Sequence, residues 1–129
     1  MTKLKVLYAY SNCGIDDKGI SDLTNLELLC VWSNSNITNI NNMTKLRILD
    51  AAFECGIDNG GIMNLSNLVI LDVQENSKST NINHMTKLKS LNASGDCGID
   101  DGGIACLTNL EILECSFNSK ITNLNHTTK

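Results

Sequence analysis

The chain repeats itself every 42 residues, and this period restricts the possible folds more than any local pattern does. The phrase MTKLKVLYA begins at Met1 and returns as MTKLRILDA at Met43 and as MTKLKSLNA at Met85. A second phrase, NCGIDDKGI, returns at the same interval as ECGIDNGGI and DCGIDDGGI. The sequence therefore predicts a single domain over 1–129, made of the units 1–42, 43–84 and 85–126.

Each unit divides again into two segments of unequal length. The phrase LxxLx(A/V/C)xx starts at leucines that lie alternately 22 and 20 residues apart, namely Leu4, Leu26, Leu46, Leu68, Leu88 and Leu110. Four of the phrases are followed by Asn, whereas the third and fifth have Glu54 and Asp96 there. Six similar segments predict a solenoid in which every segment forms one coil and buries its apolar side against its neighbours.

Apolar and polar residues alternate within each phrase, which is typical of a strand with one buried face. We expect the following pairs to point into the core: Leu7 and Ala9, Leu29 and Val31, Leu49 and Ala51, Leu71 and Val73, Leu91 and Ala93, and Leu113 and Cys115. Successive strands should pair in parallel at a spacing of about 4.8 Å. The asparagines that follow the strands are predicted to bond backbone groups of the next turn, at Asn12, Asn34, Asn76 and Asn118.

The segments LKVLYAYSN, LELLCVWSN, LVILDVQEN and LEILECSFN resemble the LxxLxLxxN consensus of leucine-rich-repeat proteins, over essentially the whole chain. The resemblance implies an α/β fold, a curved right-handed leucine-rich-repeat solenoid. A parallel β-sheet would form one face, and short helical or 3₁₀ turns would form the other. The 22-residue coils are similar to the cysteine-containing class of these repeats.

The return segments differ between the two kinds of coil. In the longer coils, Asp17, Asn59 and Asp101 stand two residues before a glycine. We predict that each is a helix N-cap followed by one short helical turn. The β-branched return segments of the shorter coils predict extended or 3₁₀ connections.

Composition argues against several functions. A net charge of −4 disfavours nucleic-acid binding, because neutralising phosphates requires a surplus of Lys and Arg. The basic residues at the strand-entry edge, where the strands begin, are interpreted as aids to solubility: Lys3, Lys5, Lys45, Arg47, Lys87 and Lys89. No apolar run approaches the roughly 20 residues of a membrane span, and no secretory leader is recognisable. We therefore expect an intracellular, cytoplasmic protein without membrane contact.

No motif of a hydrolase, nucleotide-binding protein or zinc protease occurs, so we predict a non-enzyme without catalytic residues, metals or cofactors. The acid pairs beside glycine are interpreted as helix caps rather than calcium ligands. His84 and His126 occupy the place of Asn42 and are predicted to be polar turn residues. Cys30 is expected on the outer face, where a free thiol is open to oxidation. Two interpretations of Glu54 and Asp96 remain open, namely a turn whose backbone differs from that of the other coils, or a functional acidic pair.

The residues on either side of the inward pairs define three rows across the outer face of the sheet. The apolar row is Val6, Leu28, Ile48, Ile70, Ser90 and Ile112. The middle row is Tyr8, Cys30, Asp50, Asp72, Asn92 and Glu114. The third row is Tyr10, Trp32, Ala52, Gln74, Ser94 and Ser116.

Exposed aromatic residues are frequent hot spots of protein interfaces, and carboxylates beside them favour a partner that carries Lys or Arg. We predict a non-catalytic protein–protein interaction module whose partner, an unknown protein with a basic surface, binds the exposed sheet face. The predicted contact residues are Tyr8, Tyr10, Trp32, Asp50, Asp72, Gln74, Asn92 and Glu114. The alternative is a structural or self-assembling repeat segment, excised or designed, without a specific ligand. Because polar capping repeats are absent from the sequence, a homo-oligomer formed through the ends or the apolar row is also expected.

Overall fold

The computed structural model describes residues 3–125, which form one stack of coils with a single six-stranded sheet. The strands are β1 (Val6–Tyr8), β2 (Leu28–Cys30), β3 (Ile48–Asp50), β4 (Ile70–Asp72), β5 (Ser90–Asn92) and β6 (Ile112–Glu114). They lie side by side in sequence order, and every neighbouring pair is parallel. The predicted solenoid with a parallel sheet is therefore confirmed, whereas the predicted role of His126 lies outside the described residues.

The core is the stack of inward-facing side chains. Residues such as Leu29, Leu49 and Leu71 are at most 1% exposed, as their alternation in the sequence predicts. In the first and last coils, Leu7 and Leu113 are only half-buried. Within residues 3–125, each of those coils packs against one neighbouring coil, which covers its inward residues from one side.

The backbone turns out of the sheet at the same place in every coil, through one residue in the left-handed conformation. These residues have φ between 57° and 71° and are Ser11, Ser33, Phe53, Glu75, Gly95 and Phe117. The amides of the first five continue the inter-coil hydrogen bonds, since Phe53 N donates to Gln74 O at 2.6 Å and Gly95 N to Ser116 O at 2.8 Å. This left-handed conformation costs a residue other than glycine about 1 kcal/mol. The non-glycine turn residues therefore hold a strained backbone conformation in which these hydrogen bonds form.

Asparagines link alternate coils to the coil before them. Asn34 Nδ2 donates to Ala9 O at 2.7 Å and to Ile15 O at 3.2 Å, and its Oδ1 accepts a bond from Asn36 N at 3.0 Å. The same three bonds recur at Asn76 and at Asn118. The prediction of an asparagine that satisfies turn backbone is confirmed at these three positions.

The prediction is wrong for Asn12, whose side chain is exposed, and the corresponding Glu54 and Asp96 are exposed as well. In the second and third 22-residue coils the buried place falls one residue later, on Cys55 and Cys97, and Cys13 is half-buried at the same place in the first. Cys55 Sγ donates to Ala51 O at 3.2 Å and accepts from Ile57 N at 3.5 Å. A different course of the longer turn therefore replaces the asparagine by a thiol in every second coil.

The return side of each 22-residue coil contains one short helical turn, as predicted. These are α1 (Asp17–Ile20) and the 3₁₀ turns Gly60–Ile62 and Gly102–Ile104. For α1 the predicted cap is wrong by one position, because Asp16 is the N-cap. Asn59 and Asp101 stand at the N-cap positions of the 3₁₀ turns as predicted, but their side chains make no capping hydrogen bond. Asp16 Oδ1 accepts from Gly19 N at 2.9 Å, and Asp58 and Asp100 bond the amides of Gly61 and Gly103 in the same way.

The residues predicted as caps bind the next coil instead. Asp17 Oδ1 accepts from Thr38 N at 2.7 Å and from Asn39 N at 3.2 Å, while Oδ2 accepts from Thr38 Oγ1 at 2.5 Å. Asn59 and Asp101 make the equivalent contacts. Burial alone would raise the pKa of Asp17, but the hydrogen bonds from Thr38 and Asn39 outweigh it and lower the pKa. The ionised carboxylate is thus the form that joins the coils.

Different residues join one 42-residue unit to the next. Asn41 Nδ2 donates to Gly60 O at 2.7 Å, and Asn41 Oδ1 accepts from Asn64 N at 2.9 Å. Asn83 repeats this pair of bonds one unit later. The two kinds of junction in the stack are therefore held by different side chains.

We expect Asp17→Ala to lower the free energy of unfolding by about 1–2 kcal/mol at neutral pH, because three accepted hydrogen bonds are lost. Asp17→Asn should be close to wild type, since Asn59 makes equivalent contacts in the second unit. The lowered pKa means that this stabilisation is present above the unfolded-state pKa of about 4 and is lost as the pH falls through the folded-state pKa. Urea titrations at several pH values measure it, and equal effects of Asp17→Ala and the exposed control Asp22→Ala would contradict it.

Ser79 should be a weak point of the core. Its hydroxyl is fully buried and has no hydrogen-bond partner among the described residues, whereas the first unit has the buried Ile37 at the equivalent place. We expect Ser79→Ala to raise the free energy of unfolding by about 1 kcal/mol and Ser79→Ile to raise it further. Thermal melts of the two variants test this, and a lower melting temperature for Ser79→Ala would show the idea to be wrong.

Candidate functional site

The middle row runs straight across the outer face, because the strand register places its members opposite one another. Tyr8 lies opposite Cys30, Cys30 opposite Asp50, and Asp50 opposite Asp72. Asn92 and Glu114 complete the row on β5 and β6. Tyr8 is 64% exposed, while Asp50, Asp72 and Asn92 are half-buried. Five of the eight residues predicted as contacts thus lie in the middle row, and the other three, Tyr10, Trp32 and Gln74, lie in the third row beside it.

The polar members of the middle row also hold the ends of their own strands. Asp72 Oδ1 accepts from Gln74 N at 3.0 Å, and Asp50 and Asn92 bond the amides of Ala52 and Ser94 in the same way. These bonds fix each side chain where the strand ends. Charge is therefore presented from a rigid position, which reduces the entropy lost when a partner binds.

The surroundings of Asp72 disfavour the ionised form of its carboxyl group. Burial raises its pKa, and the charges of Asp50 and Glu114 raise it further, while the hydrogen bond from Gln74 N opposes them. A positive charge placed beside Asp72 would stabilise its ionised carboxylate and so offset both its burial and its repulsion by the neighbouring carboxylates. The row is thus electrostatically suited to a cationic ligand.

The expectation that Cys30 exposes a reactive thiol is wrong. Its side chain faces outward but is only 8% exposed, and Sγ donates to Asp50 Oδ2 at 3.6 Å. The larger Tyr8 and Asp50 flank it at the same register on both neighbouring strands. Burial, together with the Asp50 charge, raises the pKa of the thiol to about 11. A thiol with so high a pKa is a poor nucleophile at neutral pH.

Three aromatic side chains form a continuous cluster beside the middle row. Tyr10 and Trp32 stack with centroids 4.7 Å apart and planes 9° apart, and Phe53 meets Trp32 edge-on at 6.3 Å and 70°. We call Tyr10, Trp32 and Phe53 the aromatic platform. Tyr10 and Phe53 are 44% and 42% exposed. Strand alternation identifies the first two residues but not Phe53, which lies one position farther on, at the left-handed turn residue.

An open groove runs along the strand-exit edge, where the strands end. It is lined by Asn12, Ser33, Ser35, Phe53, Glu54, Glu75, Ser77 and Asp96, and we call it the acidic groove. Glu54 and Asp96, the candidate acidic pair, thus share this groove with Glu75, which the sequence analysis missed. Glu75 follows the third row by one position, as Phe53 does, and only its repeat position relative to Phe53 could have revealed it.

The strand-entry edge carries the opposite charge but is largely neutralised. Lys5 and Glu27 form an ion pair at 3.1 Å, and Lys89 and Glu111 form one at 3.8 Å. Lys45 and Lys87 donate to the side chains of Asn25 and Asn67 at 2.6 and 2.7 Å. Acids and amides of the alternate coils therefore interleave with the basic residues of the strand-entry edge.

The apolar row lies on the sheet face between the middle row and the strand-entry edge. Val6, Ile70 and Ile112 are 45%, 41% and 57% exposed, while Leu28 and Ile48 are half-buried. Their neighbours Glu27, Arg47 and Val69 border a shallow apolar depression together with this row. Apolar surface is thus continuous over the first four coils.

Other chemistry-bearing residues serve the turns. His84 Nε2 lies 3.0 Å from Ile62 O, consistent with a polar turn residue. Within residues 3–125, no three His, Cys, Asp or Glu side chains are grouped as a metal site requires. All six cysteines are free thiols. The described part of the chain contains no helix whose length and apolar character would allow it to cross a membrane.

Solved structures of leucine-rich-repeat proteins resemble this one. Internalin C2 from Listeria monocytogenes matches with a TM-score of 0.65 and 26% identity, over 89% of this chain and 53% of that one. An internalin InlF from the same organism gives a TM-score of 0.60 and 20% identity, over 99% and 47%. The functional domain of its InlJ, described as including a cysteine ladder, gives 0.59 and 17%, over 98% and 33%.

The chain thus spans between a third and just over half of the length of these proteins. No family model and no curated protein sequence matches it. The repeat phrases, the parallel six-stranded sheet and the shared fold agree with one another. This chain therefore has the leucine-rich-repeat fold, a solenoid with a parallel sheet on one face.

Proposed function

We propose that the chain is a non-catalytic protein-interaction module that binds its partner on the exposed face of the sheet. The observation that carries the proposal is the aromatic platform, which lies open on a rigid sheet beside carboxylates that form no ion pair within residues 3–125. Aromatic side chains bury a large area at low cost in conformational entropy and dominate the energetics of many interfaces.

The middle row supports a basic partner. The two ion pairs within residues 3–125 lie at the strand-entry edge and involve none of Asp50, Asp72 and Glu114. A lysine or arginine of the partner would complement these carboxylates and guide its approach. Aromatic contact area would then supply the binding free energy, and the charges would supply orientation.

A second candidate is self-association through the apolar row, with the chain acting as a structural repeat segment. Exposed Val6, Ile70 and Ile112 on one edge of the sheet favour it, because apolar surface of this kind is commonly covered in a complex. Sedimentation velocity over a wide concentration range should then show a dimer that Ile70→Lys abolishes. A species that stays monomeric at millimolar concentration would exclude this candidate.

The main proposal is tested with ligands selected on the wild-type protein from a random peptide display library. The double variant Trp32→Ala with Asp72→Ala should weaken the selected ligands by at least about thirtyfold, since it removes an anchor and a charge. The matched control is Met63→Ala with Asp22→Ala, two exposed residues on the return side. Circular dichroism and thermal melts establish that both variants fold. Ligands that keep their affinity for the first variant and lose it for the control would refute the proposal.

A further inference from the structure

We infer that the aromatic platform and the adjoining acidic groove together hold an extended segment of a partner protein that carries lysine or arginine side chains. This inference rests on the proposed function and specifies the partner's chemistry. It also moves the centre of binding from the middle row toward the strand-exit edge of coils one to five.

The platform offers ring surface suited to cationic side chains. Tyr10 covers one face of the Trp32 indole, and Phe53 stands edge-on to it, so exposed ring surface remains at both ends of the cluster. Ammonium and guanidinium groups are attracted to aromatic faces, and guanidinium groups also stack on them. Phe53 belongs to the platform and also lines the acidic groove, so the two surfaces are continuous.

The groove presents carboxylates on three successive coils, at Glu54, Glu75 and Asp96. With coils about 4.8 Å apart, the outer two lie on the order of 10 Å apart, a distance that about three residues of extended peptide span. None of the three takes part in the ion pairs found within residues 3–125. Lys78 borders the same edge but forms no ion pair with them. The charge of this groove is therefore available to a ligand.

Glu75 is held in place by its surroundings. Its Oε2 accepts from Asp96 N at 3.1 Å. Among the six left-handed turn residues, the one facing Glu75 is glycine, and a Cβ at Gly95 would lie 1.9 Å from Glu75 Oε1. The missing side chain at Gly95 thus gives the carboxylate room on the groove side. A carboxylate that is already held in one position loses less conformational entropy when a partner binds than a mobile carboxylate does.

The partner's chemistry follows from the distribution of charge. Basic residues crowd the strand-entry edge and are largely engaged there, whereas the carboxylates of the acidic groove take part in none of the ion pairs within residues 3–125. An acidic segment would be repelled from the groove, and a neutral one would leave its carboxylates uncompensated. A cationic segment with its long axis across the strands satisfies both the platform and the groove.

The test uses a synthetic peptide with three arginines, each separated by two glycine or serine residues, and a matched peptide with glutamines in their place. Trp32 is the single tryptophan of the chain, so its fluorescence reports binding at the platform without a label. We expect the arginine peptide to change this fluorescence saturably. Raising the salt concentration from about 0.05 M to about 0.5 M should weaken binding severalfold, and the glutamine peptide should bind at least about tenfold more weakly.

Matched variants locate the site. Phe53→Ala should weaken binding by about tenfold, whereas Phe117→Ala should not change it by more than about twofold. Phe117 has the same residue type, repeat position and φ of 61° as Phe53, but it lies in the last coil outside the groove. Glu75→Gln, which keeps an acceptor for Asp96 N, should cost up to about fivefold, and Asp22→Asn, with the same change of charge, should cost less than twofold.

The inference is overturned if the arginine peptide leaves Trp32 fluorescence unchanged, if the glutamine peptide binds equally well, or if each control weakens binding as much as its counterpart. The proposed function would survive such results as long as library-selected ligands still depend on Trp32 and Asp72. If those ligands ignore the sheet face, the proposed function itself has failed. The arginine peptide therefore tests the inference, and the library-selected ligands test the proposed function.

Discussion

The fold depends on backbone hydrogen bonds that each coil shares with its neighbours. Strands of three residues are too short to be stable alone, and the bonds of the left-handed turn residues extend every ladder beyond them. Satisfying these bonds forces a constant register, and the register in turn aligns equivalent residues into rows. The exposed face is a consequence of this constraint, because whatever stands at one repeat position must lie beside its counterparts on the adjoining coils.

The sequence predicted the architecture well because periodicity reports directly on which residues are buried. Inward residues such as Leu49 and Val73, the parallel order of strands and the helical turns of the longer coils were all foreseen. Details of the turns that depend on a shift of one residue were not foreseen. Whether Asp16 or Asp17 caps a helical turn, and whether Asn12 or the next residue is the more buried, is decided by backbone torsions that residue type alone does not specify.

The candidate site was predicted in part for the same reason. Strand alternation identified the rows, including Tyr10 and Trp32, because it applies up to the end of each strand. Phe53 and Glu75 lie just beyond, where the chain enters the left-handed conformation and the alternation stops. Cys30 was placed on the correct face but given the wrong exposure, since cover by neighbouring strands depends on side chains far away in sequence.

The two kinds of junction have a consequence for how such an array changes length. Asp17 requires the threonine of a shorter coil beside it, and Asn41 requires the glycine carbonyl of a longer one. Removal or duplication of one coil would bring two like coils together and leave these donors and acceptors mismatched. Gain or loss of two coils at once preserves every junction. A gene that encodes such an array would therefore gain or lose two coils at a time, which is one complete 42-residue unit.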